Sequence, residues 1–201
     1  MFLDPASVSH GAFYQFMISV IVPRPIAFIS TLDRDGRRNA APFSFFAGLT
    51  SQPPLLGVSI QLREGRPKDT LHNIRETGEF VVNVVDEPLA APMVQCSGEW
   101  AEDVDEIELA GLTTLPSEKV TPPRIAESPV SLECQLHREV ELGGTVFVIG
   151  EILCAHVRDA VLTEGRVDPA KLRPIGRLGS DGYCYVHEIF HLPRPKVARR
   201  S

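Results

Sequence analysis

The sequence predicts a mainly β protein, an antiparallel β-barrel with short helical insertions. Three observations carry that prediction. Apolar runs such as LLGVSIQL, FVVNVV and TVFVIGEILCAHV have strand length and strand composition. The 15 glycines and 17 prolines among 201 residues are spread along the whole chain, which cuts it into short pieces joined by turns. Helical periodicity is confined to short stretches, so the crossover helices of a doubly wound parallel sheet are missing. A chain with 43% hydrophobic and 23% charged residues buries one ordinary core. We read residues 1–201 as a single domain with its core at about 20–195.

The elements follow in order. IAFIST (Ile26 to Thr31) is a strand, DRDG a turn, and RRNAAPFSFF the returning strand of a hairpin. Asp35-Gly36 favours that turn because both residues tolerate positive φ. LLGVSIQL (Leu55 to Leu62) is a third strand, KDTLHNIRETG a short helix, and FVVNVV (Phe80 to Val85) a fourth strand. In the helix, Asp69 or Thr70 suits the N-cap, Gly78 suits the C-terminal stop, and Leu71 and Ile74 face inward. PLAAPMVQCSGEWAEDVDEIELAGL reads as two short helices with acidic surfaces, and LPSEKVTPPRIAESP as a loop. In SLECQLHREVEL, Leu132, Cys134, Leu136, Val140 and Leu142 alternate with Ser131, Glu133, Gln135, His137, Glu139 and Glu141, broken only by Arg138. That alternation predicts one buried and one wet face. Gly143-Gly144 turns the chain into TVFVIGEILCAHV, which is apolar on both faces. It is expected to be covered on both sides, in a barrel wall or under a partner subunit.

Composition narrows the function classes. A net charge of -6 argues against a general nucleic-acid binder. The one basic cluster, PRPKVARRS at 193–201, reads as a solvated tail. Cys96, Cys134, Cys154 and Cys184 form no C-x-x-C and are expected as free thiols. The N-terminus has no secretory pattern and no run approaches a membrane span, so a cytoplasmic protein without membrane contact is expected.

HEIFH (His187 to His191) matches the H-E-x-x-H zinc signature. That chemistry needs both histidines on one helical face, about 6 Å apart. YCYV precedes the motif and Pro193 closes it, so a terminal strand is expected, with the histidines about 13 Å apart. No metal ligands are assigned. There is no P-loop, no G-x-G-x-x-G after a strand, and no G-x-S-x-G elbow.

Lys68 stands at the start of the KDTLHNIRETG helix, where the dipole is already positive. A bound anion would make that placement favourable, and Arg63, Arg66 and Lys68 with Thr70 and nearby N–H groups could hold a phosphate. A solvated basic loop with an ordinary cap is the alternative. In NAAPFSFFAGLTSQPP, Pro42 marks an edge or a bulge, which frees backbone groups for the polar rim of a flat heteroaromatic ring. Plain core packing around a bulge is the alternative there.

PRPIAFISTLDRDGRRNAAPFSFF followed by GRPKDTLHNIRETGEFVVNVV resembles the flavin reductase-like, FMN-binding split-barrel family, and within it the flavoredoxin-like branch. DEIELAGL, AESPVSLECQL and LRPIGRLGSDGYC extend the resemblance over about Val20 to Pro195. The P-R-P-I-A, N-x-A-P-F-S and K-D-T-x-x-N-I blocks in this order are specific together and weak singly. The resemblance implies an antiparallel Greek-key barrel that binds FMN. Ser30 and Thr31 would end the first strand beside the flavin. Asn39, Pro42, Phe43 and Ser44 would line its ring, largely through backbone groups. Ser59, Lys68, Asp69, Thr70 and Asn73 would surround the ribityl chain and phosphate, with Asp69 capping the helix or meeting a ribityl hydroxyl. Arg177 and Tyr183 would close the site, from the same chain or a partner.

The resemblance further implies NAD(P)H as electron donor, with hydride passing to the flavin and no protein acid or base needed. Catalytic residues are therefore assigned to none. The expected protein is an NAD(P)H:flavin oxidoreductase that supplies reduced flavin to a monooxygenase or electrons to an acceptor protein. A non-catalytic FMN electron carrier is the alternative. A homodimer is expected, because such barrels place the flavin near a two-fold interface.

Overall fold

The computed structural model describes residues 1–101 and 104–195. Helix α1 (His10–Val20) opens the chain, capped by the Ser9 hydroxyl, which accepts from the Ala12 N–H. Strands β1 (Ala27–Leu32), β2 (Arg38–Phe43), β3 (Phe46–Ser51) and β4 (Pro54–Gln61) follow, then α2 (Asp69–Thr77) and β5 (Glu79–Val84). Helices α3 (Ala90–Gln95) and α4 (Glu106–Leu109) precede the small pair β6 (Thr114–Leu115) and β7 (Arg124–Ile125). The long hairpin β8 (Val130–Leu142) and β9 (Thr145–Val157) comes next, then the minor pair β10 (Leu162–Thr163) and β11 (Arg166–Val167) and α5 (Pro169–Leu172). A final hairpin joins β12 (Ile175–Arg177) and β13 (Tyr183–Tyr185).

Seven strands form one antiparallel sheet in the order β2-β1-β5-β8-β9-β4-β3. Its two outermost strands are consecutive in the chain, separated only by Ser44 and Phe45. Three chain steps reach about 10 Å, so the sheet must curl until its ends meet, which closes a barrel. The strand expected to run through RRNAAPFSFF therefore bends. Its first half pairs with β1 as far as Phe43, its second half pairs with β4 from Phe46, and Ser44 and Phe45 belong to neither register. Pro42 sits on the outermost strand of that order, where a missing N–H costs no ladder bond.

Strand alternation divides the apolar residues between two cores. Ala27, Ile29, Val58, Phe80, Val82, Val146 and Val148 fill the barrel, and α2 plugs it with Leu71 and Ile74, both fully buried. Phe28, Ala40, Met93, Ile107 and Ile175 form the outer core beneath α3, α4 and the last hairpin. Gly150 in β9 gives room to the Phe80 ring, which a Cβ at that position would strike.

Three expectations need correction, and a fourth, cover on both faces of β9, is met on one face within this chain. Lys68, in extended conformation, occupies the N-cap of α2 with no side-chain cap, and Asp69 is the first helical residue. Gly78 does end the helix, at φ 74°. The wet face expected for β8 is dry at its start: Glu133 is buried beneath the Glu118–Val120 segment, Ser131 is buried and donates to Asn83 Oδ1, and Val140 and Leu142 are exposed. Register shifts at Glu133/Cys134 and Leu136/Arg138 break the alternation further. In β9, Val146, Val148 and Gly150 are buried, but Phe147 and Ile149 on the other face are half-buried within one chain. HEIFH is neither helix nor strand, since β13 ends at Tyr185. His187 meets Glu87 instead. The four cysteines are free. Of the basic tail, residues 196–201 lie outside the described residues.

Candidate functional site

Four adjoining cavities run past the start of α2. One of about 310 Å³ is lined by Tyr14, Pro42, Phe43, Ser44, Arg177 and Tyr183, together with Lys68. A smaller one of about 140 Å³ shares Tyr14, Phe43, Ser44 and Lys68 and adds Phe45 and Ser59. A third, about 260 Å³, is lined by Asn39, Arg63, Arg66, Lys68, Asp69 and Thr70, among others. The largest, about 660 Å³, shares Asn39, Arg66 and Asp69 with it and adds Arg34, Arg38 and Asn73. Lys68 lines three of the four. It is exposed and has no ion pair among the described residues.

The aromatic end is built by the bend after β2. Ser44 and Phe45 leave both ladders there, although the Phe45 carbonyl still accepts the Ser59 N–H at 2.9 Å. Arg24 fixes the bend. Its buried guanidinium donates to the carbonyls of Ile18 (2.7 Å), Ile21 (3.0 Å) and Leu178 (2.9 Å) and to Ser44 Oγ (3.3 Å), and it stands over the Phe45 ring. One side chain thus ties α1, the β12–β13 hairpin and the bend together. Arg177 lies 4.5 Å from the Tyr183 ring centroid and donates to the Ser180 carbonyl at 2.6 Å.

The polar end is built by a buried network. Asn39 Oδ1 accepts from Thr70 Oγ1 (2.8 Å) and Thr31 Oγ1 (3.3 Å), and Asn73 Nδ2 donates to Thr31 Oγ1 (3.0 Å). Asn39 Nδ2 donates to Glu106 Oε1 (3.0 Å), and the Ala40 N–H donates to Glu106 Oε2 (3.2 Å). These bonds fasten the first turn of α2 to β1, β2 and α4. The free N–H groups of a helix start are thereby held at a fixed place beside Lys68, with no side chain capping them.

Eleven of the thirteen site residues expected from sequence line one or more of these cavities. Thr31 supports the network from beneath without lining them. Ser30 stands apart, because alternation along β1 turns it to the other face. There it donates to the Pro123 carbonyl at 2.6 Å and accepts from Asn83 Nδ2 at 3.1 Å. Sequence reasoning missed Arg24, Glu106 and Tyr14. Arg24 is the centre of the P-R-P block, and Glu106 lies in the DEIELAGL block, so the motifs contained two of them without showing what they touch.

Burial pushes the Glu106 carboxyl above its ordinary range, against the hydrogen bonds from Ala40 and Asn39 that hold it down. Between the ordinary and the raised value, the folded chain holds a proton that the unfolded chain has released. Stability therefore falls as pH rises through that window. Glu106→Gln is expected to remove that slope, measured by urea denaturation at stepped pH. An unchanged slope would show that Glu106 is ionised throughout.

A family model described as "Flavin reductase like domain" matches residues 19–172. Nitrilotriacetate monooxygenase component B from Bacillus cereus is 33% identical, superposes with a TM-score of 0.93, and covers 96% of this chain and 98% of its own. The 2-nitrobenzoate 2-nitroreductase NbaA of Pseudomonas fluorescens is 32% identical with a TM-score of 0.91, covering 100% and 99%. Flavoredoxin of Desulfovibrio vulgaris is 25% identical with a TM-score of 0.78, covering 95% and 97%.

Proposed function

The chain belongs to the flavin reductase-like family, and from that premise we propose that it binds FMN in the cavities joined at Lys68 and works as an NAD(P)H:flavin oxidoreductase. The observation that carries this reading is that cavities of two different chemistries meet at one residue, Lys68. An aromatic end lies at the backbone bend of Ser44, and a cationic end lies at an uncapped helix start. A molecule with a flat ring at one end and a phosphate at the other matches that sequence of surfaces.

Pro42, Phe43, Ser44 and Ser59 would hold the ring, with Tyr14 and Tyr183 over the opening. Lys68 and the first-turn N–H groups of α2 would hold the phosphate. Asn39, Thr70 and Asn73 face the polar cavities while keeping α2 in place. Bound flavin supplies the hydride and electron chemistry itself, and the chain's residues bind it, orient it and keep water from its ring. Arg24 contributes by fixing the Ser44 bend. No side chain is asked to move a proton.

NAD(P)H as donor, and a monooxygenase or another acceptor protein as the destination of the electrons, complete the reading. The relative named as component B of a monooxygenase supports supply to a partner. The test is the visible spectrum of the protein with FMN under anaerobic conditions. NADH or NADPH should bleach the flavin band with catalytic turnover, and a bound flavin that neither bleaches would overturn the reductase reading. We extend the proposal to a homodimer, in which Phe147, Ile149 and the exposed Leu153 of β9 would gain cover. A one-chain mass by light scattering would refute that pairing.

A further inference from the structure

We propose that Glu133, Cys154 and His156 form a site for one divalent cation of the zinc class, separate from the flavin cavities. One ligand atom from each residue lies within 4.8 Å of the others, and none of the three residues lines the cavities around Lys68. The hairpin makes the cluster. Cys154 and His156 are two apart on β9 and so share a face, while Glu133 pairs with Cys154 across the ladder.

The geometry separates a metal site from a proton relay. His156 Nε2 lies 2.6 Å from Glu133 Oε1 and 3.8 Å from Cys154 Sγ. A nucleophile–base–orienter set uses one ring nitrogen for each neighbour. Here a single nitrogen faces both, and its one N–H can serve only one acceptor. Three donors converging on one point is the arrangement that an ion organises. The donor types agree: thiolate, imidazole and carboxylate are the zinc ligands. Bonds of about 2.0–2.3 Å in a tetrahedron put neighbouring ligand atoms roughly 3.2–3.8 Å apart. The sulfur–nitrogen pair already fits, and the His156–Glu133 pair needs to open by about 0.6 Å.

The surroundings favour the same reading. Glu133 is fully buried, and its orientation is set by N–H donors of Glu118 (2.8 Å, to Oε1) and Lys119 (2.5 Å, to Oε2), the outer-shell support that metal-binding carboxylates use. Once His156 turns its proton to Nδ1, Oε1 has a lone pair for the ion. The thiolate and carboxylate together balance a 2+ charge in a poorly solvated place. Binding releases the Cys154 thiol proton, and a neutral imidazole keeps its own by changing tautomer. A cavity of about 390 Å³ reaches the cluster on its His156 side, where Ser131 also lines it. Its arginines, Arg124 and Arg158, are turned to the carbonyls of Pro116 and Ala126.

The experiment is equilibrium dialysis of the chelator-stripped full chain against micromolar zinc, with metal counted by mass spectrometry. Cobalt is then substituted to report sulfur ligation by its near-ultraviolet charge-transfer band. The expected result is one zinc per chain. Cys154→Ser should lose more affinity than the roughly 10–100-fold that removal of an outer-shell partner costs, while Cys184→Ser should lose none. Wild-type protein that retains no zinc, or Cys154→Ser that retains it equally, would overturn the site. If Cys154→Ser does not fold, the cobalt band of the wild type decides: its presence supports the site and its absence overturns it.

Discussion

Lys68→Ala is expected to weaken FMN binding by about tenfold to a hundredfold, the scale of a lost charge-assisted contact, and to leave riboflavin nearly unchanged. Only FMN carries the phosphate that the proposal assigns to Lys68. The substitution is otherwise mild. Lys68 is exposed, stands in the extended N-cap position, and makes no side-chain cap for α2. The network that holds the helix, Thr31–Asn39–Thr70 with Asn73 and Glu106, does not include it. The fold should therefore persist, and titrations followed by flavin fluorescence should show the split between the two ligands. Equal losses for FMN and riboflavin would remove the phosphate from Lys68 and send the search to Arg66 and the larger cavity.

Glu133→Ala is expected to cost the metal-free protein about 3–5 kcal/mol, the scale of breaking a buried, fully partnered charge. Its carboxylate accepts from the backbone N–H groups of Glu118, Lys119 and Val120 and from His156, so truncation strands several donors in a dry place. Burial alone would raise this carboxyl, but those donors outweigh it and hold the group below its ordinary range. A depressed carboxyl contributes stability above its unfolded value and loses it as pH falls through the folded one. The wild type should therefore show an acid-side loss of stability that Glu133→Ala lacks. Urea denaturation with a chelator present measures both effects. A cost below about 1 kcal/mol, the scale of a surface substitution, would mean that residues 116–123 do not depend on this anchor.

Local patterns in the sequence are short-range statements, and they were legible where the structure is short-range. Leu71 and Ile74 plug the barrel as their spacing implies, Pro42 marks an outermost strand, and Gly78 ends α2 in the left-handed conformation. Most of the failures come from segments distant in the chain, whereas the N-cap of α2, which falls on Lys68 rather than Asp69 or Thr70, is a local one. Glu133 reads as wet because nothing in SLECQL announces that residues 116–123 will cover it. Ser30 reads as a flavin neighbour beside Thr31, but consecutive strand residues face opposite ways, and Asn83 and Pro123 claim it. Glu106 sits in an acidic stretch that looks solvated, and only the approach of α4 to β2 shows it gripping Asn39. The bend at Ser44–Phe45 escaped notice because its cause is closure of the whole sheet rather than any local breaker.

That closure also shapes where another protein can dock. The first and last strands of the sheet order are one stretch of chain turned at Ser44–Phe45, and each is paired on one side only, so β2 (Arg38–Phe43) and the largely exposed β3 (Phe46–Ser51) each keep a short free edge. Strand addition, by which many sheets recruit a peptide or aggregate with their own kind, needs such an edge. On the proposed reading, a protein that accepts electrons would have two routes to the barrel: these short edges, or the side chains around the mouth of the cavities, where complementarity is set residue by residue and can be retuned without disturbing the barrel.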